Sequence, residues 1–196
     1  MSRQQRGLTL IELLIVIAIV GLMISITLPS FAKMRRRAAL QAAATELRTQ
    51  FQHTRSRAIT NNVNVGMKFL LLAGEWHYAI YEDGDGDGVR NDDIKSGKDP
   101  LVARPRVVFP TSRMIHIGLL DITIKDPDGD SLPPTKSPVV FNTSTICSFS
   151  PLGQSTPGTI YVTDRGTDLY AVRVFGTSAK IRMLRYDRGG GKWVKA

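Results

Sequence analysis

The sequence is poor in the residue types on which disulfide cross-links and side-chain catalysis depend. Cys147 is the one cysteine among 196 residues, so no disulfide can form within the chain. The three histidines are far apart and show no metal-ligand spacing, and neither a Gly-x-Ser-x-Gly motif nor a phosphate-binding loop occurs. We therefore expect packing to stabilise the fold, Cys147 to lie in the core, and the chain not to be an enzyme.

Aromatic residues make up only 7% of the sequence, and basic residues outnumber acidic ones, which gives a formal net charge of +9. This excess is compatible with contacts to phosphates, anionic lipids or acidic protein surfaces, and it does not choose among them. Glycine and proline are ordinary in number, so neither a fibrous repeat nor extensive disorder is indicated. The roughly 160 residues beyond an apolar N-terminus suit one globular domain.

The longest apolar segment runs from Leu8 to Leu28, and Glu12 is its only charged side chain. As an α-helix, this segment would be about 32 Å long, which matches the hydrocarbon core of a bilayer. A carboxylate in such a helix is costly to bury, so Glu12 indicates a partner or a function.

Two ordinary explanations of this segment fit less well. A secretory signal peptide would have a shorter apolar region and a small-residue cleavage site, whereas Pro29 and Ser30 follow here. A plain single-span anchor would give no reason for the position of Glu12.

The residues around Glu12 resemble the class III leader of type IV pilins and type II secretion pseudopilins; they read Arg6-Gly7-Leu8-Thr9-Leu10-Ile11-Glu12. The resemblance implies that a prepilin peptidase cleaves after Gly7 and methylates the new N-terminus at Leu8. It also implies that Glu12 meets the N-terminal ammonium of a neighbouring subunit, which would offset the cost of burying the carboxylate. Residues 1–7 would then be a leader, and residues 8–29 a transmembrane and assembly helix.

The same resemblance implies a single-pass protein of the bacterial inner membrane with a periplasmic head, which enters a filament on assembly. Pro29 cannot donate a backbone hydrogen bond, so it predicts either a kink in a continuing helix or the end of the membrane span. Positive charge near a span usually stays cytoplasmic. Four bases nevertheless follow, and we expect them to meet lipid phosphates or acidic groups of adjacent subunits: Lys33, Arg35, Arg36 and Arg37.

Residues 30–62 have the spacing of an amphipathic helix, because apolar residues recur mostly every three or four positions. Asn61 and Asn62 are a plausible C-terminal stop. The predicted buried stripe consists of Leu40, Ala44, Leu47, Phe51 and Ala58.

Residues 63–196 consist of short β-rich segments between Gly, Pro, Asn and Asp residues, and no intervening segment has a helical period. We predict strands at 63–72, 76–81, 101–109, 114–117, 139–141, 159–163, 169–175 and 180–186. The predicted fold class is α+β, with a long N-terminal helix packed on a mainly antiparallel β-sheet head formed by residues 63–196. Several segments resemble the GspH/FimT group of pseudopilins and minor pilins, namely 55–59, 63–65, 76–81 and 149–153.

An acidic loop at residues 83–91 matches the first nine positions of an EF-hand loop. Ile94 stands at the twelfth position, where a bidentate glutamate belongs, so Asp92 or Asp93 would have to bend back or Asp99 would have to complete the shell. The alternative is a Gly/Asp-rich connection between strands that binds no ion. Calcium is therefore the one possible cofactor, and its candidate ligands are Asp83, Asp85, Asp87, Val89 through its carbonyl, and Asn91.

Basic residues are concentrated near the C-terminus, where DNA is a possible partner. Some FimT-like pilins bind DNA during natural transformation through a Gly-Arg-x-Arg motif, which residues 179–182 only approximate. The alternative is a solvated or subunit-facing strand. The candidate nucleic-acid-binding residues are Lys180, Arg182, Arg185, Arg188 and Lys192.

These features together predict a minor pilin or pseudopilin that is processed by prepilin peptidase. The N-terminal helix would bring it into a type II secretion pseudopilus or a type IV pilus, with other pilins as partners. The alternative is a FimT-like, DNA-binding minor pilin of a competence system.

Overall fold

The structure is a computed structural model that describes residues 9–110, 114–166 and 168–196, without the side chains of residues 26–30. The predicted processing residues Gly7 and Leu8 lie outside the described residues, and so does the side chain of Pro29. The predicted span at residues 8–29 therefore extends past the described side chains at both ends. The chain divides into two compact units, Met1–Ala38 and Ala39–Ala196.

A long helix, α1, spans Leu10–Asn61. Its C-terminus is a Schellman motif, in which Asn62 takes a left-handed conformation with φ of 53°. The Asn62 N–H donates to the Ile59 carbonyl at 3.4 Å, and the Val63 N–H donates to the Ala58 carbonyl at 3.2 Å. The predicted stop at Asn61 and Asn62 is confirmed, whereas the kink at Pro29 stays a prediction.

Among the described residues, no helix combines the length and the apolar character that crossing a membrane requires.

The described part of the second unit contains twelve strands. They are β1 (Val65–Leu72), β2 (Glu75–Glu82), β3 (Leu101–Val107), β4 (His116–Ile117), β5 (Ile124–Lys125), β6 (Ser131–Leu132), β7 (Val139–Phe141), β8 (Ile146–Phe149), β9 (Gly158–Thr163), β10 (Leu169–Val174), β11 (Ile181–Asp187) and β12 (Lys192–Lys195). A short helix, α2 (Asn91–Ser96), lies between β2 and β3.

The strands form two main sheets. One has the order β3-β2-β1-β8, and the other has the order β12-β11-β10-β9-β4 with β7 also paired to β9, while β5 and β6 pair separately. All of these pairs are antiparallel. The predicted α+β class and antiparallel head are confirmed.

The main core lies between one face of α1 and the two sheets. All five residues of the predicted stripe are buried, as is Cys147. Phe51 is at the centre of this core. The centroid of its ring lies 5.9–6.2 Å from the ring centroids of Phe69, Phe141 and Phe149. Because the helix has 3.6 residues per turn, its apolar residues lie on one face and pack against both sheets.

A second, smaller core covers the opposite face of the β9-β10 sheet. Leu169 and Ala171 of β10 face this cluster, whereas Tyr170 and Val172 between them face the main core. Because side chains alternate along a strand, β10 is buried on both faces. Trp193 of β12 packs against the second cluster and its Nε1 donates to the Lys125 carbonyl at 2.9 Å.

The structure corrects several predicted boundaries. The prediction that no helix lies between the strands was wrong, because α2 forms at Asn91–Ser96. Its six residues are too few to show a helical period in the sequence. The first strand starts at Val65, since Asn62 and Val63 complete the helix cap. Lys180 precedes β11, because Ala179 interrupts the extended chain with φ of 45°.

Candidate functional site

Thr9 and Glu12 form a reciprocal hydrogen-bond arrangement at the start of α1. Thr9 N–H and Oγ1 both donate to Glu12 Oε2 at 2.9 Å, and Glu12 N–H donates to Thr9 Oγ1 at 3.3 Å. This is a capping box, in which two side chains satisfy donors that the helix end leaves open. Glu12 therefore helps to begin its own helix, a role that the Thr-x-x-Glu spacing signals and that sequence reasoning missed.

The helix surface beyond Glu12 is apolar on all sides. Every leucine, isoleucine, valine and methionine between Leu10 and Ile24 is between 47% and 77% exposed. The hydroxyl of Ser25 does not break this surface, because Oγ donates back to the Gly21 carbonyl at 2.9 Å. Such a surface is unfavourable in water and suits lipid or the flank of other helices.

The carboxylate of Asp83 organises the acidic loop from its buried side. Asn64 Nδ2 donates to Oδ2 at 2.7 Å, the Gly86 N–H donates to Oδ1 at 2.8 Å, and the Gly88 N–H donates to Oδ2 at 2.8 Å. Burial raises the pKa of Asp83, but these hydrogen bonds outweigh it and hold the pKa below its usual value. Gly88 takes a φ of 95°, which supplies the turn expected at the sixth loop position.

The predicted carboxylate ligands converge, and basic side chains of the same chain lie beside two of them. Oxygen atoms of Asp83, Asp85 and Asp87 lie within 4.8 Å of one another. Lys98 Nζ is 3.2 Å from Asp85 Oδ2, and Arg90 Nη1 is 2.6 Å from Asp87 Oδ2. The hydrogen bond to Asp85 and its charge raise the pKa of Lys98. The chain therefore supplies its own positive charges to this loop.

Each acid that was proposed to complete a calcium shell has another partner. Asp92 Oδ1 is 3.5 Å from Lys95 Nζ, and Asp93 Oδ1 is 3.5 Å from Lys98 Nζ. Asp99 is buried and accepts hydrogen bonds from the backbone N–H groups of Gly84 and Arg90 at 3.2 and 2.9 Å.

The other two predicted calcium ligands, Val89 and Asn91, lie in a packed contact and at a helix start. Val89 is buried, and a Cβ added at Gly66 would lie 2.6 Å from its Cγ1, so this side chain packs tightly on β1. Asn91 begins α2.

The predicted nucleic-acid-binding residues do not share one face. Arg182 and Arg185 are three positions apart on β11, so their side chains point to opposite faces of the sheet. Lys180 precedes β11, Arg188 follows it in the turn, and Lys192 begins β12 opposite Asp187.

Arg182 instead has Arg173 of β10 directly opposite on the neighbouring strand. The two guanidinium carbons lie 5.1 and 5.2 Å from the centroid of the Phe175 ring. Arg173 Nη2 is also 2.7 Å from Asp128 Oδ2, an ion pair that offsets part of the repulsion between the arginines.

Two family models match this chain. Residues 2–28 match the prokaryotic N-terminal methylation motif. Residues 43–178, more than half of the chain, match the type II transport protein GspH. The chain belongs to the GspH family. The predicted resemblance to pilins and pseudopilins is confirmed, and the chain is a pilin-like structural protein.

One curated relative of this chain is described as pilin-like. Pilin-like protein PilA1 of Thermus thermophilus is 38% identical over 79 residues, which cover 40% of this chain and 49% of that protein. The match therefore spans about half the length of that relative. No solved structure gives a significant match.

Sequence reasoning located the acidic loop of this GspH-family chain but missed the basic partners of its carboxylates. Lys98 and Asp99 lie outside the EF-hand pattern, yet one pairs with the loop carboxylates and the other holds the loop backbone. Lys98 and Asp99 reach the loop because the chain turns back after α2, and no sequence motif indicates this turn.

Proposed function

We propose that this chain is a minor pilin or pseudopilin that prepilin peptidase cleaves after Gly7 and methylates at Leu8. Before assembly, its N-terminal helix holds it in the bacterial inner membrane with the head in the periplasm. The same helix then enters a filament beside those of other pilins. The observation that carries the proposal is the helix surface between Leu10 and Ile24, whose large apolar side chains are 47–77% exposed.

The energetics of that surface support an environment of lipid or neighbouring helices. Burying one large aliphatic side chain contributes about 1.5–3 kcal/mol, so a helix that exposes many of them to water is strongly disfavoured there. The carboxylate of Glu12 would meet the free amino group of a neighbouring subunit, which offsets its cost in an apolar bundle.

The proposal covers a type II secretion pseudopilus and a type IV pilus. The description of the matched family, type II transport protein GspH, supports the first. The description of the relative as pilin-like agrees with either machine.

DNA uptake stays the alternative prediction, and the split of Arg182 and Arg185 between two faces of β11 does not favour it. Gel shifts over a salt series test DNA binding. They compare the full chain in detergent with a variant in which Lys180, Arg182 and Arg185 are replaced.

Fractionation of cells that make the chain tests the proposed function. We expect the chain in the sheared filament fraction of normal cells, and its full-length form in the membrane fraction of cells without prepilin peptidase. Equal recovery in sheared filaments with and without the peptidase would contradict the proposal, and so would recovery in the soluble fraction alone.

We also propose that the loop at residues 83–91 binds calcium weakly. Three converging carboxylates within 4.8 Å supply the oxygen ligands that calcium prefers. An entering ion would displace Lys98 from Asp85 and Arg90 from Asp87, and Ile94 supplies no twelfth-position carboxylate. Weak binding is expected for these two reasons.

Calorimetric titration of the full chain in detergent measures this binding. We expect a dissociation constant of roughly 10⁻⁴–10⁻³ M for the unaltered chain, the range of extracellular modules. Lys98→Ala removes a competing cation and should tighten binding by about tenfold, or about 1.4 kcal/mol. Lys95→Ala is the matched control, because Lys95 pairs with Asp92 outside the three carboxylates. Absence of heat for both the unaltered chain and Lys98→Ala would remove calcium from the description of this loop.

A further inference from the structure

A short stretch of α1, residues 31–37, carries a concentration of positive charge on an exposed helix surface. We call it the collar. Every side chain from residue 31 to residue 38 is exposed, so the collar is open to whatever surrounds the helix. Its four bases are Lys33, Arg35, Arg36 and Arg37.

The helix supplies no acid to these bases. No acidic residue occurs in α1 between Glu12 and Glu46, so no base of the collar has an acid three or four positions away. Within the described parts of the chain, Lys33, Arg35 and Arg36 form no salt bridge. Lys33 also lies three positions before Arg36 and four before Arg37, which are spacings at which like charges repel. An anionic group from outside the chain would relieve this repulsion.

The bases are distributed on opposite sides of the helix. Because an α-helix turns by about 100° per residue, Lys33, Arg36 and Arg37 share one side and Arg35 lies on the opposite side. An acidic patch on one neighbouring protein would face a single side of α1. Lipid headgroups surround a membrane helix on all sides, so this distribution favours lipid.

Two large apolar side chains lie among the bases. Phe31 is 54% exposed and Met34 is 60% exposed. At a membrane surface, such side chains enter the boundary between headgroups and acyl chains, while long basic side chains extend to the phosphates. The mixture of exposed apolar and basic residues in the collar is typical of that environment.

The position of the collar along α1 matches the headgroup layer. Its bases lie four to eight residues beyond the predicted span, or about 6–12 Å at ~1.5 Å per residue. The headgroup layer on each side of a bilayer is about 5–8 Å thick. In a helix, each Cα–Cβ bond tilts toward the N-terminus, which is the apolar end of α1. The long side chains of the collar therefore extend back toward the headgroups.

We propose that the collar binds the phosphate headgroups of anionic phospholipids on the periplasmic side of the inner membrane. The bound lipids neutralise the four bases and hold the unassembled subunit at a fixed depth. Entry into the filament then requires release of these lipids. This inference rests on the proposed function, because it names the membrane partner of the helix that the function places in lipid.

Native mass spectrometry of the full chain released from neutral-detergent micelles measures lipid binding. The two probes are phosphatidylglycerol, which is anionic, and phosphatidylcholine with the same acyl chains, which has no net charge. We expect the unaltered chain to prefer phosphatidylglycerol by about tenfold. Equal binding of the two lipids would overturn the proposal. Competition by soluble glycerol 3-phosphate at equal concentration would show a site for free phosphate and would also overturn it.

Variants of the collar test the placement of the charge. Replacing all four bases by glutamine should abolish the preference for phosphatidylglycerol. Lys33→Gln alone should lower it a few-fold, and Lys33→Arg should keep it. The matched control has four exposed bases elsewhere replaced by glutamine and loses the same net charge, yet should keep the preference. An equal loss in both four-base variants would show a general charge effect and overturn the proposal. The control positions are Arg48, Arg104, Lys136 and Lys195.

Cell fractionation separates lipid from an acidic neighbouring subunit as the partner. We expect the four-glutamine collar variant in sheared filaments at a level close to that of the unaltered chain. Loss of this variant from filaments, with its preference for phosphatidylglycerol unchanged, would assign the bases to a neighbouring subunit and overturn the proposal.

The two measurements also separate the collar from the proposed function. If the unaltered chain is present in sheared filaments but shows no preference for phosphatidylglycerol, the lipid contact is wrong and the filament role stands. If it prefers phosphatidylglycerol but is missing from both membranes and filaments, the proposed function is wrong.

Discussion

Replacing Glu12 by leucine should leave the chain in the membrane and remove it from the filament. The leucine keeps the helix apolar, so insertion is not impaired. In the filament, however, the amino terminus of the neighbouring subunit would be buried without a partner. Removing one member of a buried ion pair costs about 3–5 kcal/mol, which corresponds to a loss of roughly a hundredfold or more. Immunoblots of sheared and membrane fractions give this ratio.

The capping box provides matched controls that separate the charge of Glu12 from its hydrogen bonds to Thr9. Glu12→Gln keeps a side chain that can complete the box but removes the charge. Thr9→Ala keeps the charge and removes the cap, at about 1 kcal/mol. We expect Glu12→Gln to fail nearly as severely as leucine, and Thr9→Ala to lose only a few-fold. The reverse order would show that helix capping, and not charge pairing, makes Glu12 necessary.

Replacing Phe51 by alanine should cause the largest loss of head stability. Phe51 is fully buried, and its ring contacts those of Phe69, Phe141 and Phe149 at centroid distances of 5.9–6.2 Å. Truncating such a side chain costs about 3–5 kcal/mol, a large part of the roughly 5–15 kcal/mol that stabilises a domain. Denaturant unfolding of the full chain in detergent, followed by tryptophan fluorescence, measures the change.

Ile59→Ala is the matched control for Phe51→Ala. Ile59 lies on the same helix, two turns later, and is 49% exposed. We expect its effect on the free energy of unfolding to stay below about 1 kcal/mol. Similar losses for the two variants would show that Phe51 does not connect the helix to both sheets.

Sequence reasoning succeeded where a local pattern alone decides the structure. The stripe from Leu40 to Ala58 has a helical period, and tertiary packing buries all five predicted members. Asn61 and Asn62 end α1 because the left-handed cap is set by the residues themselves. His77 and His116 lie in β2 and β4 as expected and are half-buried.

It failed where the structure depends on contacts between distant parts of the chain. The strand Ile146–Phe149 contains Cys147 and Ser148, which carry little β-propensity, and it forms because Val65 and its neighbours offer it an edge. Arg173 and Arg182 become neighbours through strand register, which no spacing along the sequence reveals. Lys98 reaches the acidic loop only after α2 turns the chain back.

The mass of the N-terminal peptide of the chain recovered from sheared filaments is the most direct measurement. We predict that this peptide begins at Leu8 and carries one methyl group on its amino nitrogen. A filament form that begins at any other residue, or that keeps residues 1–7, would contradict processing after Gly7 and with it the assembly of this chain as a pilin-like subunit.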